Sequence, residues 1–291
     1  MKLSARPTAW LLALALSAPV ALHALPENEA KAGRDLVKRW ANSIIGIEMV
    51  VTLKMTMGDR AMPPREIKVD INGTVLNTAG LTVTSLAAID PRMQFETMRA
   101  AMGPAGARME VGESDFKEVK LRLSDGSEVP ARVVLKDGDL DLAFIAPEPD
   151  PTADKHEFTP VKLDKPAEGT VLSTYFIISR APKVLQRAPL VSPTLVSGIV
   201  ERPRRMFLVT GQQLGCPLFD QQGRVLGICV HHLSNGRSNG IVVLPEADVA
   251  EIAQQAAAEA AKPPPPKPVV ESPAPEKKPD TPPPTEPAAK K

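Results

Sequence analysis

The sequence predicts an all-β protein of many short strands, arranged either as a barrel or as a sandwich. Runs rich in β-branched and aliphatic residues follow one another along the chain, and Gly, Asp and Pro separate them. No repeat of about 20 to 50 residues, which would indicate a solenoid or a propeller, is present. Without the two unusual ends, roughly 235 residues remain, which suits one all-β unit. Typical runs are TVLNTAGLTVTS, DLAFIA, TVLSTYFII and RVLGICV.

Composition limits the kinds of partner. With 43% hydrophobic residues the chain can bury a core. A formal net charge of +1 gives no attraction to nucleic acid or to acidic membranes, so neither partner is expected. No cofactor and no metal site are predicted.

Residues 1–24 are typical of a secretory signal peptide. Two basic residues precede an apolar run from Ala9 to Ala21, and small residues follow it. The run is shorter than the roughly 20 residues of a membrane span, and Pro19 interrupts it. We expect cleavage near Ala24 and a periplasmic or extracellular location, with a retained anchor as the alternative.

Apolar residues recur at the spacing of an amphipathic helix in two segments of the chain. Residues 25–42 form an N-terminal helical segment, in which the helix is predicted from Glu29 to Trp40 with Asn28 as a possible N-cap. Pro245 opens a second amphipathic stretch, EADVAEIAQQAAAEAAK, which predicts a closing helix on the barrels.

The tail from 262 to 291 is rich in Pro, Lys and Glu. Proline favours extended polyproline II, and the charges keep the segment solvated, so the tail is predicted to be disordered. A plain spacer and a ligand for an envelope partner both remain open.

Cys216 and Cys229 flank a predicted hairpin with the loop Gln221-Gln222-Gly223. In that register Asp220 faces Arg224, so Cys216 lies opposite Ile228 and Cys229 points to the other face. The sequence therefore predicts two free, buried thiols, although a shift of one residue would reverse this.

Three stretches resemble motifs of one family. GQQLGCPLFDQQGRVLGICV, from Gly211, resembles the G-N-S-G-G-P-L-F segment of trypsin-like serine proteases of the HtrA (Deg) type, with Leu214 at the serine position. GLTVTSLAAI resembles the stretch with the catalytic histidine, whose position holds Ala87. Asp141, in DLAF, matches the aspartate that orients that histidine.

This resemblance implies two six-stranded β-barrels of trypsin-like type over residues 43–261, followed by the C-terminal helix. It also implies a degenerate protease, without the PDZ domain that many HtrA proteins carry, because the proline-rich tail stands in its place. The oligomeric state stays open.

The histidine content supports the loss of catalysis. The four histidines are His23, His156, His231 and His232, so none in the mature chain precedes Asp141 as the family order requires. The oxyanion loop holds Gln212, Gln213 and Leu214, and Gln212 replaces a glycine whose backbone freedom presents the N–H groups.

We therefore predict a peptide- or protein-binding scaffold without hydrolytic activity. Val230, His231 and His232 would offer a strand edge for an extended peptide, and the loop from Thr210 to Leu214 the opposite wall. Cys216 is better explained as a packed residue than as a nucleophile. The alternative is an active serine-type endopeptidase that uses Ser192 or Ser197.

Overall fold

The structure is a computed structural model that describes residues 25–92, 95, 102, 108–149, 156–234 and 237–264. The predicted signal peptide and all but the first three residues of the predicted tail lie outside the described residues.

The first barrel closes through its first and fifth strands. Its sheet has the order β2-β1-β3-β4-β7-β6-β5, and β1 also pairs with β5. Beyond Glu48 the buried residues of β1 alternate with more exposed ones except at Thr52, which is also buried, as expected for a strand with one face in a core. The strands are β1 (Ile44–Met57), β2 (Arg60–Ala61), β3 (Arg65–Val75), β4 (Thr82–Ser85), β5 (Met109–Arg122), β6 (Glu128–Asp137) and β7 (Leu142–Pro147).

The second barrel is also closed, in the order β10-β13-β12-β11-β8-β9. In the first barrel the two-residue β2 pairs only with β1, so six strands form each closed ring. The prediction of two six-stranded antiparallel barrels is therefore confirmed. The strands of the second barrel are β8 (Thr174–Arg180), β9 (Pro189–Val200), β10 (Met206–Val209), β11 (Pro217–Phe219), β12 (Val225–Ser234) and β13 (Arg237–Pro245).

Helix α1 (Glu27–Trp40) packs on the second barrel. Its last residue, Trp40, stacks on Phe219 with ring centroids 5.4 Å apart. The helix begins two residues before the predicted start, so Asn28 lies inside the first turn. The cap position is Pro26, which makes no side-chain capping bond.

Helix α3 (Glu246–Ala260) closes the fold, after the single-turn helix α2 (Leu86–Ile89) of the first barrel. Val249 and Ala256 of α3 are completely buried in a cluster to which both barrels contribute. This contact confirms the predicted C-terminal helix and shows that it covers the junction of the barrels. No helix of the described segments has both the length and the hydropathy of a membrane span.

The register of the cysteine hairpin differs from the prediction. Near the turn the predicted pairing holds, because the Asp220 N–H donates to the Arg224 carbonyl at 3.0 Å. A β-bulge between Leu218 and Phe219 then shifts the ladder by one residue, so Ile228 faces Pro217 and not Cys216. The prediction that the two cysteines point to opposite faces is wrong. Both are buried in the core of the second barrel as free thiols.

Candidate functional site

The carboxylate of Asp141 lies at the junction of the barrels, just before β7. It is completely buried and accepts three hydrogen bonds. The Ser85 hydroxyl donates to Oδ2 at 2.5 Å, and the Ala87 N–H donates to Oδ1 at 2.7 Å. The His231 N–H, from the second barrel, donates to Oδ2 at 2.6 Å. Asp141 therefore links α2, β4 and β12.

Burial decides the ionisation of this carboxyl group. Loss of solvation raises the pKa of Asp141, and the hydrogen bonds from Ser85, Ala87 and His231 offset the increase only in part. The pKa therefore stays above its ordinary value, as expected for a carboxylate whose donors are mostly neutral backbone groups.

The loop of residues 211–215 forms a tight turn before β11. The Cys216 N–H donates to the Gln213 carbonyl at 3.1 Å, and Gly215 between them has a φ of +72°. A turn with positive φ at its third residue favours glycine there. A Cβ on Gly215 would lie 2.5 Å from Oγ1 of Thr84 and 2.6 Å from the carbonyl oxygen of Asn72. The sequence must therefore keep a glycine at this position.

The same turn is bonded to both barrels. The Thr74 hydroxyl of β3 donates to the Gly215 carbonyl at 2.7 Å, and the Gly215 N–H donates to the Cys229 carbonyl at 2.9 Å. Gln212 has no positive φ, in contrast to five other non-glycine residues of the described segments. Its side-chain amide donates to the Ile241 carbonyl at 3.4 Å.

A cleft of about 440 Å³ opens beside this loop. Its lining includes the three predicted oxyanion-loop residues, Gln212, Gln213 and Leu214, together with Ala88, the neighbour of Ala87. A larger cavity of about 880 Å³ lies between β5 and β6 and contains none of the predicted site residues. The other residues of the cleft are Asp70, Ile71, Asn72, Arg180, Ala181, Pro182, Arg187, Leu190 and Ile241.

The remaining predicted residues lie outside the lining of this cleft. Val230 is buried in the cluster under α3, so its side chain is not on a groove wall. His231 and His232 are half-buried on β12, and Thr210 is exposed. Within the described segments, no three His, Cys, Asp or Glu side chains form a group that could hold a metal ion.

Sequence reasoning missed the floor of the cleft, where Asn72 and Arg180 meet. The Asn72 side-chain amide donates to the Arg180 carbonyl at 3.0 Å. The guanidinium group of Arg180 donates to three backbone carbonyls, those of Ala41, Ile44 and Arg187. Burial lowers the pKa of Arg180, and the nearby Arg187 lowers it further. No sequence motif marked these residues, because β3 and β8 are far apart along the chain.

Comparisons with known proteins agree with this architecture. The family model of the trypsin-like peptidase domain matches residues 72–228, more than half of the chain. The crystal structure of Deg5 superimposes with a TM-score of 0.51 at 18% identity, over 77% of this chain and 92% of that chain, which shows a shared fold. No curated protein matches the sequence at a significant level. The chain belongs to the trypsin-like peptidase domain family.

Proposed function

We propose that this chain is an exported pseudoprotease of the HtrA type, which binds extended peptide segments without cleaving them. The observation that carries the proposal is the set of donors on Asp141. In an active relative this aspartate orients an imidazole, whereas here Ser85, Ala87 and His231 supply its hydrogen bonds. The carboxylate thus acts as a structural acceptor.

Two further features support the absence of catalysis. Leu214 stands at the nucleophile position by resemblance and carries no group that could attack a carbonyl carbon. Gln212 replaces the glycine of the oxyanion loop and lacks a positive φ. The first change would remove the nucleophile, and the second would alter the backbone donors that stabilise the oxyanion.

The cleft supports the binding half of the proposal. Its volume of about 440 Å³ falls in the range of ligand pockets, about 300 to 1,000 Å³. The side-chain amide of Gln213 can donate to and accept from a peptide backbone, while Leu190 and Leu214 offer apolar contact. The amide groups of Asn72 and Gln212 donate within the protein, and their oxygen atoms can accept from a peptide. An extended chain of mixed side chains suits such a lining.

Export and the tail belong to the same proposal. The segment 1–24 would direct the chain to the periplasm or the extracellular space, and the tail from 262 would connect the barrels to an envelope partner. Ending the chain after Pro264 separates the two binding functions: peptide affinity stays unchanged and the envelope partner is lost. If peptide affinity disappears with the tail, the cleft is not the peptide site.

Fluorophosphonate labelling tests for hidden serine catalysis. Ser192 and Ser197 are both exposed on β9, so a reactive hydroxyl there would be accessible to the probe. We expect no labelling of the wild-type protein. Labelling that is lost in Ser192→Ala or in Ser197→Ala would establish an active endopeptidase and overturn the proposal.

A further inference from the structure

Cys216 and Cys229 face each other directly behind the loop of residues 211–215. Pro217 pairs with Ile228, and one step along the same register brings Cys216 opposite Cys229. The Cys229 N–H donates to the Cys216 carbonyl at 3.0 Å, and the return bond to the Cys229 carbonyl comes from Gly215, whose positive φ marks a bulge next to Cys216. Both side chains are completely buried and belong to one core cluster.

This arrangement matches the geometry that a disulfide needs. Opposed residues on antiparallel strands have Cα atoms about 4.5 to 5.5 Å apart, and disulfides span about 4.4 to 6.8 Å. The two side chains enter the same core, and Cys229 is one of the groups that raise the pKa of Cys216, which indicates that the two thiols lie close together. We propose that Cys216 and Cys229 are a redox pair, which closes into an intramolecular disulfide when the protein folds under oxidising conditions.

The oxidant is a disulfide such as oxidised glutathione. The thiolate of one cysteine attacks it, forms a mixed disulfide and releases one reduced glutathione. The thiolate of the second cysteine then attacks the protein sulfur of the mixed disulfide and releases the second. Two electrons and two protons pass from the cysteine pair to glutathione, so the exchange is balanced.

Burial determines when the bond can form. Loss of solvation raises the pKa of Cys229 to about 12 and raises the pKa of Cys216 well above its ordinary value. A thiolate is the reacting species, so the folded thiols exchange very slowly. The disulfide therefore closes before the core does, and the folded protein then preserves whichever redox state it acquired.

The pair also contacts the wall of the cleft. The Cys216 N–H donates to the Gln213 carbonyl at 3.1 Å, and Gln213 lines the cleft. Closure of the disulfide at Cys216 therefore acts on the loop of residues 211–215 through this bond. The inference goes beyond the proposed function and holds whether or not the cleft binds peptide.

Refolding in a glutathione buffer tests the proposal. The full chain is unfolded in denaturant with reductant and refolded with reduced and oxidised glutathione. It is then unfolded again in a maleimide, and labelled thiols are counted by intact mass. We expect no label before reduction and two labels after it. Cys216→Ser is the matched control, because its single remaining thiol cannot close the ring.

The order of addition tests the effect of burial. When oxidised glutathione is added only after the chain has refolded in reductant, we expect both thiols to stay reduced and to be labelled on unfolding. Two labelled thiols after refolding in the glutathione buffer would overturn the proposal, as would disulfide-linked dimers. Equally fast oxidation of the folded protein would overturn closure before burial.

Discussion

The backbone N–H of Ala87 donates a 2.7 Å hydrogen bond to Oδ1 of Asp141. Ala87 carries only a methyl group at the position where relatives have histidine by resemblance, yet its backbone still engages the aspartate. The acidic residue has a structural role in the fold, because it ties α2 and β4 to β12. The three hydrogen bonds account for a completely buried carboxylate at this position.

Asp141→Asn tests this structural role. The amide keeps one acceptor, but its NH₂ group faces the His231 N–H, which can only donate. We expect a loss of about 1 to 3 kcal/mol in the free energy of unfolding, measured with urea at neutral pH. The φ of +56° at Asp141 is acceptable to asparagine, so backbone strain does not enter the comparison.

Ser85→Ala is the companion variant, because it leaves the carboxylate its two backbone partners. It removes the donor to Asp141 and also the Oγ that accepts the Ala88 N–H at the start of α2, so the expected loss is about 1 to 2 kcal/mol. An Asp141→Asn protein that is as stable as the wild type would refute the structural role of the carboxylate.

The free energy of unfolding should depend on the ionisation of Glu48 at acid pH. Burial raises the pKa of Glu48, but hydrogen bonds from Arg122, Arg187 and Lys183 outweigh it and lower the pKa to about 2. Because the folded-state pKa is lower than the ordinary value of 4.5, the stabilisation is present above pH 4.5 and is lost as the pH falls towards 2. Glu48→Gln should cost about 2 kcal/mol at pH 7 and almost nothing near pH 2.

The control for this prediction is Asp70→Asn. Asp70 accepts a 2.7 Å hydrogen bond from the same Arg187 but is more exposed, so its loss should cost less than about 1 kcal/mol. Equal costs of Glu48→Gln at pH 7 and at pH 2 would show that the network is not electrostatic in origin.

Gly215→Ala tests the close packing of the turn against the first barrel. The new methyl group would collide with Thr84 and with the Asn72 carbonyl, in addition to the strain of a positive φ. Gly126→Ala is the matched control, because Gly126 has a φ of +88° with open space around it. We expect Gly215→Ala to lower the free energy of unfolding by about 2 kcal/mol more than the control. Equal costs would mean that strain alone requires the glycine.

Leu214→Ala tests the apolar part of the cleft. Removing the side chain should weaken peptide binding by about 1 to 2 kcal/mol, roughly a 5- to 30-fold increase in Kd. Leu172→Ala serves as the control, because Leu172 is exposed and lies outside the cleft lining. Fluorescence anisotropy of a labelled extended peptide measures both. An equal Kd for the two variants would exclude Leu214 from the binding surface.

Motifs predicted the fold and the central residues because their spacing is local. The stretch around Pro217 covers β11 and the turn before it, and the stretch around Ala87 covers β4 and α2, so a short window of sequence carries the information. The closed barrels and the position of Asp141 next to Ala87 follow from those windows through the resemblance.

The register of the cysteine hairpin could not be predicted in the same way. A bulge between Leu218 and Phe219 adds one residue to a strand, and alternation of apolar residues does not mark it, since the residues there are apolar on both faces. The floor of the cleft was missed for a different reason. Asn72 and Arg180 are 108 positions apart and meet only when the barrels pack together.

Isothermal titration calorimetry of an extended peptide into the wild-type chain tests the central claim most directly. Binding without cleavage predicts heat pulses that return to the baseline after each injection and decrease to saturation. Hydrolysis would give a sustained heat flow that lasts until the peptide is consumed. That sustained signal, or the absence of any binding heat, would contradict the account.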